Sequence, residues 1–262
     1  MTDVIATNYY RTFSRSHPVL ARIKPDERVS TKTLDSGGQD LDGKHLSESG
    51  NPLTGPFYIE GAAIGDSISV HLHKVSLNRD WGYTSYRLGL VSLTPELVEN
   101  VYSSEYKHDL VRKGRADILP WDIDLKRNTV RPRKPESNTA SLEFEAQPML
   151  GCIGVAPEGD FSPTSGPSGP YGGNIDYNRI AEGSTVHLPV YQEGALLYVG
   201  DGHALQADGE PLGTGIETSM DVEFSVTLNK GSGLTGVRVE TDTHLISVGS
   251  QPEFSSSPNI GL

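Results

Sequence analysis

Nine consecutive residues, Ser67-Ile68-Ser69-Val70-His71-Leu72-His73-Lys74-Val75, place an apolar side chain at nearly every second position. Only an extended strand puts alternate residues on one face, whereas the apolar positions of a helix recur every three or four residues. The run therefore predicts a half-buried β-strand, within a patterned stretch over 58–77 that opens with a turn. Further short strands are predicted at 141–146, 185–191, 195–200, 221–228, 236–240 and 243–248, most of them bounded by Gly, Pro, Asn or Asp. The 29 glycines and 17 prolines make about 18% of the chain, against roughly 12% in an average one, and supply the turns such strands need. One short helix is predicted over 94–100, with Thr94 as N-cap and Pro95 at the first helical position. The expectation is a single β-rich domain spanning residues 1–262, mainly β with a few short helices.

Two polar, Gly/Pro/Ser-rich connections, 35–55 and 157–174, are long for a compact domain, and loops of that length usually carry function. Segment 113–136, rich in Arg, Lys and Pro, reads as a solvated surface excursion between sheets. A net charge of −12 argues against nucleic-acid and anionic-membrane partners and suits a neutral substrate. No stretch of 18 apolar residues occurs, and residues 1–10 lack the basic start and apolar run of a secretory signal, so the chain is expected to be cytoplasmic.

The single cysteine, Cys152, excludes an internal disulfide and Cys-rich zinc sites, which leaves His, Asp and Glu to hold any metal. Cys152 sits in an apolar, strand-like run over 149–157. Burial there raises a thiol pKa and makes it a poor nucleophile. No Gly-x-Ser-x-Gly elbow is present either.

The densest polar cluster runs from Gly200 to Glu210, after the apolar strand 195–199. Asp201 and His203 stand two apart, as do Asp208 and Glu210, and in extended backbone such pairs project to one side. An imidazole with carboxylates suits Zn²⁺, and a cluster of this size has room for a second ion such as Ca²⁺. On pattern alone, an acidic glycine turn explains the segment equally well. A second Gly-rich segment, 165–176, holds Gly172, Gly173, Asn174 and Asp176. Its Gly-flanked amides can form an oxyanion nest, although a flexible loop fits the bare pattern as well. Asp35, in a polar turn after 29–34, reads alone as an Asx-turn residue. His45, His71, His73, His187 and His244 have no carboxylate pattern beside them and read as surface or hydrogen-bonded structural residues.

In combination these words resemble the acetamidase/formamidase family. They are Asn51-Pro52-x-Thr54-Gly55-Pro56-Phe57-Tyr58-Ile59-Glu60-Gly61-Ala62, Gly65-Asp66, the run from Gly151 to Pro157, Gly172-Gly173-Asn174-x-Asp176, Leu188-Pro189-Val190, Gly194-Ala195-Leu196, Gly200-Asp201-x-His203-Ala204 and Asp208-Gly209-Glu210. They occur in the family's order and span about two thirds of the chain. The resemblance implies a Swiss-roll-like β-sandwich, a homodimer, and a metal-containing site that hydrolyses formamide, acetamide or a similar small linear amide to carboxylate and ammonia. It implies Asp35, Asp176, Asp201, His203 and Asp208 as metal ligands, with zinc as the expected ion. Glu210 is then the general base, and the amides of Gly172 and Gly173 or the side chain of Asn174 hold the developing oxyanion. Two other readings stay open from the sequence: a calcium-stabilised carbohydrate-binding sandwich, and a metal-dependent ester or lactone hydrolase.

Overall fold

The computed structural model describes residues 1–85, 118–133, 140–210 and 213–250. Among them the regular structure is all β, in two sheets packed as a sandwich. The seven-stranded sheet runs, in spatial order, β1 (Thr2–Asp3), β3 (Val29–Lys32), β16 (Met220–Asn229), β5 (Ser67–Leu77), β13 (Thr185–Pro189), β17 (Arg238–Glu240) and β18 (Leu245–Ser247). The eleven-stranded sheet runs β11 (Ser168–Gly169), β12 (Gly172–Asn174), β10 (Met149–Val155), β14 (Leu197–His203), β15 (Glu217–Thr218), β6 (Trp81–Ser85), β7 (Ile118–Asp124), β8 (Thr129–Pro132) and β9 (Phe144–Glu145). Off that path, β4 (Leu53–Ile59) pairs with β14, and β2 (Ala21–Ile23) pairs with β4. The helix expected over 94–100 lies outside the described residues. Among the described residues no helix is long and apolar enough to cross a membrane.

The alternation of β5 sets the layer order. Ile68, Val70 and Leu72 are buried in the core shared with Leu150, Ile153, Leu197 and Val199 of the opposite sheet. Phe57 of β4 and Phe224 of β16 meet edge-on across the sandwich, ring centroids 5.2 Å apart. The outward residues His71, His73 and His187 bond to Thr185, Thr227, Ser225 and Ser69, which satisfies the structural role expected of them. The alternation slips at His73-Lys74, and the ladder slips with it. Leu72 pairs with Phe224 and Lys74 with Glu223, which leaves His73 as the extra residue of a β-bulge.

One expectation needs correction. The described part of 113–136 is a hairpin integral to the sheet: β7 pairs with β6 on one side and β8 on the other. Its inner residues Ile123 and Val130 are buried in a second, smaller core with Ala146, Ala204 and Ile216. Its charges form outward ion pairs, Arg133 and Arg131 with Asp122. Those pairs hide the period-two pattern from a composition reading.

Candidate metal centre

The site is assembled where β10, β12, β14 and β15 lie side by side. Leu150 pairs with Gly202 and Cys152 with Gly200, which sets Gly151 of β10 opposite Asp201 of β14. Cys152 pairs on its other edge with Asn174 of β12. His203, the last residue of β14, pairs with Glu217 of β15. Asp201 and His203 are thus strand residues, and their two-residue spacing places both side chains on the site.

Asp201 and Asp176 have left-handed backbone, with φ of 56° and 48°. Asp tolerates that region better than most residues, and such outliers concentrate at functional sites. The turn at Asp176 is fixed because Ile175 and Asp176 both donate their backbone N–H to the carbonyl of Gly151, at 2.9 and 3.2 Å.

Around His203 Nε2 stand Glu217 Oε2 at 3.3 Å, Asp201 Oδ1 at 3.6 Å and Glu210 Oε1 at 3.7 Å. Asp176, His203 and Glu210 form one group whose ligand atoms lie within 4.8 Å of one another, and Asp201, His203 and Glu217 form another. The imidazole is 1% exposed. Four carboxylate oxygens here, Asp176 Oδ1, Asp201 Oδ1, Glu210 Oε1 and Glu217 Oε2, are buried without a hydrogen-bond partner. A buried carboxylate oxygen left unpaired is costly, and four directed at one point make a set that only a cation or protons can satisfy.

The imidazole is held ready for the same purpose. Gln206 Nε2 donates to the Asp176 carbonyl at 2.6 Å, which turns Gln206 Oε1 toward His203 Nδ1 at 2.8 Å. An amide oxygen can only accept, so Nδ1 carries a proton and Nε2 is the ring atom turned to the carboxylates, free to ligate a cation that displaces its proton. Zinc bonds of roughly 2.0–2.2 Å at tetrahedral angles separate ligand atoms by roughly 3.3 Å, close to the contacts around Nε2.

Electrostatics report the same crowding. Burial, and then the charge of Asp201, push Asp176 up to about 8. Burial pushes Glu210 up to about 7, with Glu217 and Asp201 adding to it and His203 opposing. Burial also raises Asp201. Glu217 is held below its ordinary value although burial works against its charge, because His203, Ser36 and Thr214 stabilise the carboxylate. Burial disfavours the imidazolium of His203, but Glu217 and Asp201 outweigh it and raise the pKa. A bound cation would replace the protons this cluster otherwise retains.

The surroundings keep the carboxylates in place. Asn51 donates to Asp201 Oδ2 at 3.2 Å and to Asn174 Oδ1 at 3.1 Å, and Asn174 donates to Asp176 Oδ2 at 2.6 Å. Cys152 is fully buried, its thiol pKa raised well up by that burial, and its Sγ–H donates to Asn174 Oδ1 at 2.8 Å. It is a fixed donor, as its apolar run suggests. A polar cavity of about 230 Å³ opens onto the cluster, walled by Asn51, Asn174, Asp201, Glu210, Thr214 and Glu217.

The structure thus brings together Asp176, Asn174, Asp201, His203 and Glu210 of the residues singled out in the sequence. Asp35 and Asp208 stand apart as ligands. Asp35 is fully buried, but its Oδ2 accepts from Arg79 at 2.7 Å and its Oδ1 from the Gln39 amide at 2.9 Å. Both oxygens are engaged in locking a loop. Asp208 lies in a bend with Gly209 at a φ of 78°, so the extended spacing that would align it with Glu210 is lost, and it accepts from Asn178 instead. Gly172 and Gly173 are the middle of a three-strand ladder, paired with β10 and β11. Their backbone is committed to the sheet, which removes the free amides that an oxyanion nest needs.

Sequence reasoning missed Glu217, Gln206 and Asn51. Asn51 opens the first of the family-like words, Gln206 lies inside the densest cluster and Glu217 lies beyond the last word, and no local spacing marks any of them. The usable signal for Glu217 is an acid between Ile216 and Thr218 in an otherwise buried strand.

Comparison with known proteins finds similar chains of one kind. The model of the acetamidase/formamidase family matches residues 164–257. A candidate formamidase of Schizosaccharomyces pombe is 26% identical over 95% of this chain and 70% of its own length. Among solved structures, an acetamidase/formamidase from Thermoanaerobacter tengcongensis superposes with a TM-score of 0.78 at 28% identity, covering 99% of this chain and 80% of that one. An acetamidase from Bacillus halodurans gives 0.77 at 27%, covering 97% and 80%. With its fold, its ordered motifs and these likenesses in agreement, the chain is similar to the acetamidase/formamidase family, whose model matches residues 164–257.

Proposed function

We propose that the protein is a metal-assisted amidase that releases ammonia and a carboxylate from a linear primary amide. The observation that carries this reading is the convergence of four buried carboxylate oxygens without hydrogen-bond partners around His203 Nε2. Asp176, Asp201, His203 and Glu217 would hold a divalent ion, with zinc the best match to an imidazole–carboxylate set. Such an ion, when bound, supplies Lewis acidity and lowers the pKa of water from ~16 toward ~7.

The remaining work falls to the chain. Glu210 lines the polar cavity, and burial holds its pKa at about 7, so near neutral pH it can take a proton from attacking water and return it to the leaving nitrogen. Asn174 keeps one Nδ2 N–H beyond its bond to Asp176 and would orient the substrate carbonyl in the same cavity, while Asn51, both of whose N–H groups are taken up by Asp201 and Asn174, holds that arrangement in place. Loss of one such donor costs on the order of 10²- to 10³-fold in rate in comparable sites. The short bond from Asn174 to Asp176 ties substrate orientation to ligand geometry.

Elemental analysis of the purified protein, followed by exhaustive chelation and an ammonia-release assay on formamide and acetamide, tests the reading. One divalent ion per chain and activity that is lost on chelation and restored by zinc are expected. Full turnover without metal would overturn it. Esters and lactones assayed in parallel separate an amidase from the other metal-dependent hydrolases.

A further inference from the structure

A second cavity of about 280 Å³ adjoins the polar one and shares Glu210 and Thr214 with it as walls. Its chemistry is different. Trp121, Phe144, Leu205 and Ile216 are its large apolar walls. Trp121 and Phe144 set their rings 6.4 Å apart between centroids, and Phe144 is left 42% exposed. Its floor reaches the metal centre from behind: Gln206 and Gly215 both line it, Gln206 bonds His203 Nδ1, and a Cβ on Gly215 would come within 2.8 Å of the His203 ring.

A formyl or acetyl group fills little of this space and leaves the aromatic wall in water. Apolar walls continuous with a polar reaction centre are how small-molecule sites combine affinity with orientation. We infer that the amide hydrolysed here carries a bulky apolar acyl group, a medium-length alkyl chain or a phenyl ring. That group lies between Trp121, Phe144, Leu205 and Ile216 while the amide faces Glu210 in the polar cavity. The inference rests on the amidase reading for its chemistry and on the shared walls for its geometry. It places substrate preference in the β7–β8–β9 hairpin region and in residues 205–210 and 213–216.

The test compares acetamide, hexanamide and phenylacetamide by ammonia release and by calorimetric binding to the metal-loaded protein. It uses wild type, Ala207→Trp, which fills the second cavity from an exposed position, and Phe144→Ser, which opens its rim. Each fully buried methylene is worth about fourfold, so even partial burial of the four extra methylenes should raise kcat/KM for hexanamide over acetamide by at least about tenfold. Both variants should remove most of that preference and leave acetamide turnover within about twofold of wild type. Equal or better use of acetamide by wild type, or variants that slow both substrates alike, would overturn the inference. If no amide releases ammonia, the amidase reading falls by itself, and binding decides the pocket. Hexanamide binding about tenfold tighter than acetamide and weakened by Ala207→Trp sustains it, and equal binding refutes it.

Discussion

Replacing Gly151 by alanine should disable the metal centre while leaving the sandwich folded. Gly151 sits in the middle of β10, between the ladders to β12 and β14, so its backbone cannot withdraw. A Cβ there would lie 2.5 Å from Asp176 Oδ1 and 2.5 Å from Asp201 Oδ2. Carbon–oxygen contacts settle at about 3.3 Å, so each carboxylate must retreat by about 0.8 Å. Ligand sets tolerate displacements of roughly 0.5 Å, and a 1 Å error at a reacting centre costs about 100-fold. Two ligands displaced together should therefore lower metal affinity by about 100-fold or more and abolish turnover at limiting metal. Overpacking in a well-packed region costs about 1–3 kcal/mol, which a domain of this size survives. Calorimetric titration with zinc reads the affinity, and a melting curve of the chelated protein reads the fold. Unchanged zinc affinity in a folded Gly151→Ala protein would show that Asp176 and Asp201 do not act together as ligands.

Gln206→Ala removes the acceptor for His203 Nδ1 and the donor to the Asp176 carbonyl, and should weaken metal binding about 10- to 100-fold, with Gln206→Glu recovering part of the loss. Asp176→Asn keeps a residue type that tolerates its left-handed backbone, and should stabilise the chelated protein while reducing its affinity for metal. The sign follows from a folded pKa of about 8, well above that of an unfolded carboxylate: the unfolded chain releases a proton that the native state retains, so wild type loses stability as pH rises. The advantage of the variant should grow from about pH 4 to about pH 8 and then level off at several kcal/mol, and a flat difference across that range in denaturant titrations would contradict it. Arg79→Met should destabilise the fold by about 3–5 kcal/mol, because Asp35 would stay buried without its cation, yet leave one metal per chain; loss of metal from a folded variant would return Asp35 to the ligand set.

What the sequence discloses is what local geometry controls. The period of two in β5 predicts its strand, and even the slip at His73-Lys74 is written there, because a bulge needs one extra residue on one strand. Asp201 and His203 were legible as a pair because both lie in one strand, and an i, i+2 spacing there fixes the side they share. Asp208 was misleading for the complementary reason: the same spacing carries no information once Gly209 bends the chain. Glu217 meets His203 only through the register of β14 on β15, and no property of residues near 217 encodes that register. Asp35 shows the converse limit. Its turn reads alone as an Asx turn, which its bond from the Gln39 backbone N–H fits, and only the family resemblance makes it a ligand; Arg79, 44 residues away, reveals that the charge is already matched.

The central claim is that one cation joins Asp176, Asp201 and Glu217 to His203. Anomalous diffraction at the zinc edge from crystals of the zinc-loaded protein tests it most directly. A single strong peak within bonding distance of His203 Nε2, Asp176 Oδ1, Asp201 Oδ1 and Glu217 Oε2, with Glu210 outside its bonding shell, is the predicted result. A peak elsewhere with none at His203, or zinc-loaded crystals in which those oxygens are bridged by protons alone, would contradict it.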